Sequence, residues 1–580
     1  MLELLAEYAH RNELPGPGFM PKTVRWAIVC DANGRFQEVV ELGDVGQPRN
    51  RGQAFPRCPD LSEAEIKSGG VVRSHFLVDA AQVVALYGEE AADARVMAKH
   101  QFFVDLLSQA SEAEPGLSAA ARLLADDKAL DSVRRRFKEH QVRPTEKVTL
   151  CIDGAFPVKS DAWHTWWQSF RQRIAPEGHL GERTMVCLVT GKPVRPPTTH
   201  PKVVGLNDVG GLSMGTVLVG FDKDSFGSYG LKQSENAAVS EAAAYDYRAA
   251  LNELIANHSR RLAGAKVVHW FKAKVKDEED PLAWLEEPPE VEERAAQHLA
   301  RELLESIANG KRQGLPDNYY YALTLSGAGG RVMVRDWMEG PFEELVANIG
   351  HWFDDLSIVH RDGGRLAPDP AFRFVLRSTV FGRTDRDKDK NLPSPFVAKM
   401  WRVAVRREPI PQTAMAKALA RTKVDIIGDE PFSHARMGLM KAYHTRSSRE
   451  DGGYMKSYLN EEHPAPAYHC GRMMAVLAKL QQAALGDVGA GVVQRYYAAA
   501  SATPALVLGR LVRGGQFHLN KLDPGLAHWY EEKLGSINVA LRDNYPVTLT
   551  LEEQSLFALG YYQQWVDLRT RKSDDSKKEA

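Results

Sequence analysis

The chain has 580 residues, of which 44% are hydrophobic and 26% charged, a composition that excludes a disordered, collagen-like or disulfide-stapled protein. At about 100 to 200 residues per domain, the length predicts roughly three to five structural units. The 74 Lys and Arg nearly balance the 75 Asp and Glu, and the net charge of -1 excludes a protein that binds polyanions through overall charge alone.

The cysteines and the apolar runs indicate the cellular compartment of the protein. Five cysteines are spread along the sequence without a C-x-x-C pair, which predicts packed thiols in a reducing cytoplasm. The first residues lack a basic signal-peptide region, and no apolar run approaches the roughly 18 residues that cross a bilayer. We therefore expect a cytoplasmic protein that does not bind or span a membrane.

Residues 1–180 predict an N-terminal α+β region. Apolar β-branched runs predict strands at Val24–Cys30 and Val148–Ile152. Helical periodicity covers Ala80–Leu107 and Leu117–His140.

An aromatic cluster ends this region. Trp163, Trp167 and Phe170 recur at helical spacing, so core packing is the first interpretation. Base stacking remains open because Arg171 and Arg173 lie close by in the sequence.

Residues 181–460 predict a central α+β region that opens with short strand-like runs and the glycine-rich segment Gly205–Gly215. Such a loop lets backbone N–H groups and short polar side chains come close to a phosphate or a groove edge. A plain surface loop is the alternative. The candidate contact residues here are Asn207, Gly210, Gly211 and Ser213.

The same segment contains a hydrolase-like motif. Gly211–Gly215 matches G-x-S-x-G, in which a strand-to-helix turn exposes a nucleophilic serine. Here a loop precedes Ser213 and a strand-like run follows it, which argues against a nucleophile elbow. A serine hydrolase using Ser213 is kept as the alternative function.

Further elements follow in the central region. A long helix is predicted to start within Asn236–Ser240 and to bury Ala244, Tyr247, Leu251 and Ile255 on one face. The acidic, proline-containing stretch Asp277–Glu293 predicts an exposed connector. Tyr320–Leu325 and Arg331–Trp337 predict a hairpin around a glycine-rich turn.

Charge is distributed unevenly along the chain. Residues 271–310 carry 5 Lys or Arg against 11 Asp or Glu, whereas residues 371–450 carry 17 against 8, a net charge of +9. Cations interleaved with aromatic rings in this second stretch, the cationic block, suit phosphate contacts and base stacking. A solvated loop rich in charges of both signs remains open. The block's candidate polyanion contacts include Arg402, Arg406 and Arg407.

Residues 461–570 predict a C-terminal helical bundle, and 571–580 predict a disordered tail. Thr503 before Pro504 predicts one helix start, and Thr550 with Glu553 predicts a capping box at another. No metal-ligand set such as H-E-x-x-H and no convincing acid–base cluster occurs in the sequence, so no cofactor and no enzymatic activity are expected.

Several stretches together resemble the large subunit of the type I-C CRISPR Cascade surveillance complex, the Csd family, nearly end to end. The glycine-rich loop differs from the family pattern in having Leu212 and Met214, where smaller or polar residues are common. The matching stretches are Ser74–Asp79, Val203–Phe221, Ser225–Leu254, Ala322–Gly327 with Arg331 and Arg335, Pro464–Gln481, and Phe557–Tyr562.

The resemblance implies a non-catalytic subunit of an RNA-guided antiviral complex. In that family the large subunit recognises the protospacer-adjacent motif in double-stranded DNA, helps to start R-loop formation and provides a platform for the helicase-nuclease. The guide RNA, carried by the complex with its backbone and small subunits, reads the remaining sequence by base pairing.

The resemblance also places the glycine-rich segment at the DNA groove, with Asn207 and Ser213 as hydrogen-bonding groups and Lys202 as a nearby cation. Gln233 and Asn236, just before the long helix, are candidates to contact base edges or phosphates.

Finally, the family suggests that the C-terminal bundle is also made separately from an internal start. Met455 would give a product of 126 residues, and Met437, Met440 and Met473 are the competing starts.

Overall fold

A computed structural model gives the fold of the chain except for residues 44–51, 63, 64, 67, 176–179, 182, 228, 263, 289–294, 310, 313, 314, 429, 430, 448–454, 487, 489, 490, 543, 579 and 580. Part of the predicted acidic connector and Ser228 of one matching stretch thus lie outside the described residues. The chain divides into two compact units. The first is Met1–Ser259 with Leu325–Met333, and the second is Arg260–Thr324 with Val334–Ala580.

The first unit is mixed α+β. A four-stranded sheet has the order β3-β2-β6-β5, in which β2 and β6 are parallel and the other neighbours are antiparallel. Antiparallel pairs β1–β4, β7–β8 and β9–β10 lie outside it. The elements are α1 (Leu2–Arg11), β1 (Phe19–Val24), β2 (Trp26–Cys30), β3 (Phe36–Glu41), β4 (Gln53–Pro59), β5 (Asp79–Ala80), α2 (Ala81–Val84), α3 (Ala94–Ala110), α4 (Leu117–Ala125), α5 (Asp127–Glu139), β6 (Lys147–Ile152), α6 (His164–Ile174), β7 (Met185–Val186), β8 (Pro193–Val194), β9 (Lys202–Val203), β10 (Thr216–Val217) and α7 (Glu241–Asn257).

The aromatic cluster belongs to the core of this unit. Trp163 and Trp167 are fully buried, and their indole N–H groups donate to the carbonyls of Pro157 and Gly18, each at 2.8 Å. Trp167 also stacks on the Phe76 and Phe170 rings, and a ring buried among protein side chains in this way cannot stack on a base. Core packing, the first interpretation, is confirmed.

Two predicted helices are divided. The periodicity of Leu117–His140 continues across Asp126, but Asp126 leaves the helix and its carboxylate accepts from the Lys128 amide at 3.0 Å. Asp93 likewise caps a new helix within Ala80–Leu107. The prediction of uninterrupted helices was wrong there, since a side chain that caps a new helix ends the preceding one without changing the apolar spacing.

The second unit is mainly helical. Its strands follow the order β11-β12-β13-β14. The elements are β11 (Ser259–Leu262), β12 (Ala265–Phe271), α8 (Pro281–Glu286), α9 (Ala295–Ala308), β13 (Tyr319–Ala328), β14 (Arg331–Pro341), α10 (Phe342–Leu356), α11 (Phe372–Arg377), α12 (Asp385–Asn391), α13 (Ser394–Val405), α14 (Gln412–Ile427), α15 (His434–Ser447), α16 (Pro466–Leu485), α17 (Val492–Ala500), α18 (Pro504–Leu519), α19 (Pro524–Leu541) and α20 (Leu551–Lys578).

The predicted hairpin is confirmed as β13 and β14, with a shorter turn than expected. Gly329 and Gly330 alone connect the strands, and both have positive φ, as a tight hairpin turn requires. The tip, Leu325–Met333, belongs to the first unit.

The C-terminal helices have their own apolar core. The capping box at Thr550 forms, with its amide donating to Glu553 at 2.8 Å and its hydroxyl accepting in return at 3.3 Å. The backbone of α20 continues past the predicted end at Thr570 to Lys578. The α+β class is confirmed, whereas the region boundaries near 180 and 460 and the tail 571–580 stay predictions.

Candidate nucleic-acid interface

The glycine-rich segment connects β9 to β10 in the first unit. Strand register pairs Thr216 with Val203 and Val217 with Lys202. Strand β10 also pairs in parallel with β14, where Val217 faces Arg331. The loop therefore stands on a short sheet that includes the hairpin tip.

Close backbone packing explains two of the glycines. A Cβ on Gly210 would lie 2.6 Å from the Gly327 carbonyl oxygen, and a Cβ on Gly327 would lie 2.1 Å from the Gly211 nitrogen. The Gly211 amide donates to the Leu206 carbonyl at 2.8 Å. These glycines hold the loop against the hairpin, and the Gly211 N–H is bonded within the loop.

The side chains that remain exposed on this braced loop include polar and large apolar groups. Asn207 lies in a 3-10 turn, Asn207–Val209, and Ser213 lies in the turn Leu212–Gly215. Leu212 and Met214 flank Ser213 with 55% and 80% of their surface exposed. Two large apolar side chains exposed on one turn are available for contact with a binding partner.

Ser213 does not occupy a nucleophile elbow. It precedes strand β10 rather than a helix, and its hydroxyl makes no hydrogen bond to a histidine or carboxylate among the described residues. The G-x-S-x-G match reflects the glycine packing and the β-turn.

Two cations border the loop. Lys202 is exposed on β9, and Gly215 lies so close that its Cβ would meet that of Lys202 at 2.9 Å. Arg331, on the hairpin, contacts Asp222 at 2.5 Å and stands 4.7 Å from the centre of the Phe226 ring. Because Asp222 is exposed, this ion pair is weak and Arg331 can exchange it for a phosphate. The sequence indicates Arg331 only through the family resemblance, because the distant pairing partner that positions it has no local signal.

Gln233 and Asn236 share a 3-10 turn, Gln233–Ala237, in the same unit. The Ser234 hydroxyl donates to the Thr198 carbonyl at 2.8 Å, which ties the turn to the segment leading into β9. Gln233 is exposed, with φ of 44°. Asn236 instead donates to the Gln233 carbonyl at 3.0 Å.

The long helix starts after this turn. Ser240 is its N-cap and accepts from the Ala243 amide at 3.2 Å, so the predicted start is confirmed. Asn236 therefore does not stand at the helix N-terminus, and its amide stabilises the turn that presents Gln233.

The packing of His200 anchors this region to α7. Its Nδ1 lies 2.7 Å from the Tyr247 hydroxyl. Burial lowers the pKa of His200 to about 4, so the imidazole is neutral at physiological pH. The predicted buried face of α7, which includes Tyr247, is confirmed.

The cationic block lies in the second unit and forms helices α11–α15 with their connections, so a solvated loop was wrong for most of it. Many of its cations already have acidic partners. Ion pairs are formed by Arg377, Lys399, Arg402, Arg421, Arg436 and Arg446.

The three arginines selected from the block differ in their surroundings. Arg402 donates to Asp336 at 2.8 Å and to Glu408 at 2.9 Å. Burial alone would lower the pKa of Arg402, but hydrogen bonds and attraction from these carboxylates outweigh it and raise the pKa. Arg406 and Arg407 are exposed. Arg406 makes a long contact of 3.4 Å to the Glu339 carbonyl and a side-chain hydrogen bond with Tyr320. Of the three, Arg406 and Arg407 are the better placed for a phosphate.

Among the described residues there is neither a candidate metal centre nor a helix that could span a membrane. Within the described ranges, no three His, Cys, Asp or Glu side chains are grouped so as to hold a metal ion. No helix in the part of the chain covered by the structure is both long and apolar enough to cross a bilayer.

Comparison with known proteins identifies one family. The family model described as CRISPR-associated protein (Cas_Csd1) matches residues 3–569, nearly the whole chain. No curated protein matches the sequence.

Proposed function

Because the chain belongs to the Cas_Csd1 family of CRISPR-associated proteins and is thereby a Cascade subunit, we propose that it is the large subunit of a type I-C complex. In this role it recognises the protospacer-adjacent motif in double-stranded DNA and starts R-loop formation. The proposal includes no catalytic step of its own. The guide RNA, backbone and small subunits, and the helicase-nuclease are its proposed partners.

The braced glycine loop is the observation that carries this proposal. Reading a base edge requires a hydrogen-bonding side chain held at a fixed distance from the groove. The contact of Gly210 and Gly211 with Gly327 supplies a rigid base for the exposed Asn207 amide. Lys202 borders the loop with a positive charge for the neighbouring phosphates.

Motif discrimination is tested by competition between motif-bearing and motif-lacking duplexes on the assembled complex at fixed salt. Asn207→Ala and Gln233→Ala should each reduce the preference for the motif by about tenfold, the worth of one base contact. Asn33→Ala, which removes an exposed amide elsewhere in the first unit, should leave it unchanged. Equal binding of both duplexes by the unaltered complex would indicate a scaffold and overturn the proposal.

Leu212 and Met214 support a role in strand separation. Apolar side chains that enter a base step unstack it and kink the duplex. Met214, 80% exposed at the turn, has the reach for such an insertion. We assign these two side chains to the opening of the first base pairs next to the motif.

A duplex with a preformed bubble separates this role from simple binding. Met214→Ala should slow R-loop formation roughly tenfold on intact duplex, because the cost of unstacking is no longer offset, and should have little effect on the bubble duplex. Met97→Ala, which alters a half-exposed methionine on α3, is the matched control. A defect that persists on the bubble duplex would rule out the insertion role.

The exposed cations of the second unit complete the proposal as phosphate contacts. Arg406 and Arg407 are exposed directly after the C-terminal end of α13, and Arg373 is exposed on α11. Such contacts add affinity without sequence preference and make it sensitive to salt.

A further inference from the structure

A cleft of about 500 Å³ opens within the second unit, away from the residues discussed above. Its walls come from α16, α20, the start of α17, and residues before α15 and after α10. Cavities of a few hundred Å³ are the usual size for one small organic ligand. The side chains that define its chemistry are Arg361, Phe432, Lys479, Tyr561, Trp565 and Arg569.

Aromatic rings form one side of the cleft. The Phe432 ring centre lies 5.1 Å from that of Trp565 and 6.2 Å from that of Tyr561. Trp565 is only half-buried although it is a large apolar residue. The exposed part of its ring therefore lines the cleft, where a planar ligand can contact it.

Two cations lie beside the Trp565 ring. The Arg569 guanidinium lies 4.4 Å and the Lys479 ammonium 5.3 Å from the centre of the Trp565 ring. Across the described residues, neither Arg361 nor Arg569 forms an ion pair through its side chain. Asp362 is the one acid among the described residues of the wall, and it faces His360 at 3.3 Å. The cleft thus carries more positive than negative charge.

Rings and cations together narrow the class of ligand. An inorganic anion would make no use of three aromatic side chains, and an apolar ligand would make no use of three cations. A nucleotide uses both, since its base stacks on a ring or a guanidinium plane while its phosphate pairs with Arg or Lys. Gln482, which accepts from Lys479 at 2.8 Å, adds an amide at the rim.

We propose that this cleft binds one nucleoside phosphate, with the base against Trp565 and the phosphate near Arg361 and Arg569. The source is either a free nucleotide or an unpaired nucleotide of a single strand. Only the second source rests on the proposed function, because strand opening would supply the unpaired nucleotide.

Photo-crosslinking of the full-length protein locates the site. The probe is a short oligo(dT) that carries one 5-iododeoxyuridine, which reacts with aromatic side chains in contact with the base. Crosslinks should map to peptides containing Trp565, Tyr561 or Phe432. Suppression by excess dTMP would identify a site for free nucleotides, whereas resistance to dTMP would identify a site for a strand.

Charge-matched variants test the same idea without altering the core. Arg361→Ala with Arg569→Ala should weaken oligo(dT) binding about tenfold, since phosphate and stacking contacts are lost together. Arg510→Ala with Arg513→Ala removes two arginines of α18 outside the cleft and should change binding less than about twofold. Equal losses of oligo(dT) affinity in the two double variants, or crosslinks that map outside the cleft, would overturn the proposed site.

Motif competition on the same variants separates this site from the proposed function. The double variant Arg361→Ala with Arg569→Ala should retain its preference for motif-bearing duplex. A protein that crosslinks in the cleft but shows no motif preference would refute motif recognition and leave the nucleotide site intact.

Discussion

At the scale of single residues, the structure divides cations that look alike in the sequence. Arg402, Arg406 and Arg407 lie within one short stretch, yet Arg402 bridges Asp336 and Glu408 while Arg407 is exposed. A buried or half-buried guanidinium between two carboxylates stabilises the fold. An exposed guanidinium contributes to the electrostatic potential around the protein.

Arg402→Ala and Arg407→Ala should therefore affect different properties. Arg402→Ala should lower the free energy of unfolding by about 1 to 3 kcal/mol, because it leaves the Asp336 and Glu408 carboxylates without their shared donor. Arg407→Ala should change stability little and should lower the slope of DNA affinity against salt by about one phosphate contact.

Urea unfolding and salt titration of DNA binding measure the two effects. If Arg402→Ala were as stable as the parent and lost the salt dependence instead, then the ion-pair assignment would be incorrect.

The candidate site was predictable in part. The exposed side chains of Asn207 and Gln233 follow from their turn-forming neighbours, which are local in sequence. Gly327 was not predictable as the residue that braces the loop, because the contact joins two distant stretches of chain. The position of Arg331 beside the loop was not predictable from local sequence for the same reason, because it depends on strand pairing with the distant Val217.

At the scale of helices and strands, capping residues in the sequence predicted where helices begin. Thr550 caps the helix that it was expected to cap, and the helix expected to start within Asn236–Ser240 has Ser240 as its N-cap. What the sequence pattern could not reveal is how closely two helices approach. A Cβ on Gly560 of α20 would lie 2.0 Å from the Tyr468 carbonyl oxygen of α16, and one on Gly471 would lie 1.9 Å from the Phe557 carbonyl oxygen.

Gly560→Ala should destabilise the packing of α16 on α20 by about 1 to 3 kcal/mol, since a methyl group has no room between the two backbones. Gly535→Ala, in α19, places its new methyl group where no other atom lies within 4 Å. This second substitution should raise helix stability by about 0.5 to 1 kcal/mol.

Urea unfolding followed by circular dichroism compares the two variants. An equal effect of Gly560→Ala and Gly535→Ala would mean that the close approach of α16 and α20 is absent in solution.

At the scale of the whole molecule, buried histidines make stability depend on pH. Burial lowers the pKa of both His444 and His463 to about 4. Glu552 opposes the shift at His444, and His469 and His444 add to it at His463. The His444 Nε2 lies 2.5 Å from the Ser555 hydroxyl, and the His463 ring stacks on Tyr468 at 4.4 Å.

Acidification should therefore destabilise the second unit. A folded-state pKa below the unfolded value of about 6.5 means that the unfolded chain binds more protons, so stability is complete above that pH and falls as pH approaches 4. The loss should be on the order of 2 kcal/mol per histidine near pH 5. His463→Gln should reduce the difference in unfolding free energy between about pH 7.5 and about pH 5, whereas His528→Gln, on α19, should not. A variant at His463 with the full pH dependence would refute this origin.

The C-terminal helices also have two apolar faces. One face forms a core among α16–α20, with a contribution from Ile426 of α14. The other packs into the main core of the second unit through residues of α16 and α20. A separately made bundle would expose this second face, so we expect it to be covered by another subunit. The residues concerned are Tyr468, Ala558, Leu559, Tyr562 and Val566.

The helix bounds favour Met455 as the start of such a product. Met437 and Met440 are buried within α15, and a chain starting there would carry a fragment of a helix that belongs to the main core. A start at Met473 would delete the first residues of α16. Met455 precedes α16 and keeps α16–α20 whole. Intact-mass measurement of the purified complex should find the 126-residue species Met455–Ala580. Met455→Leu should abolish that species and Met473→Leu should not, while a species that starts at any of the other three methionines would overturn the assignment.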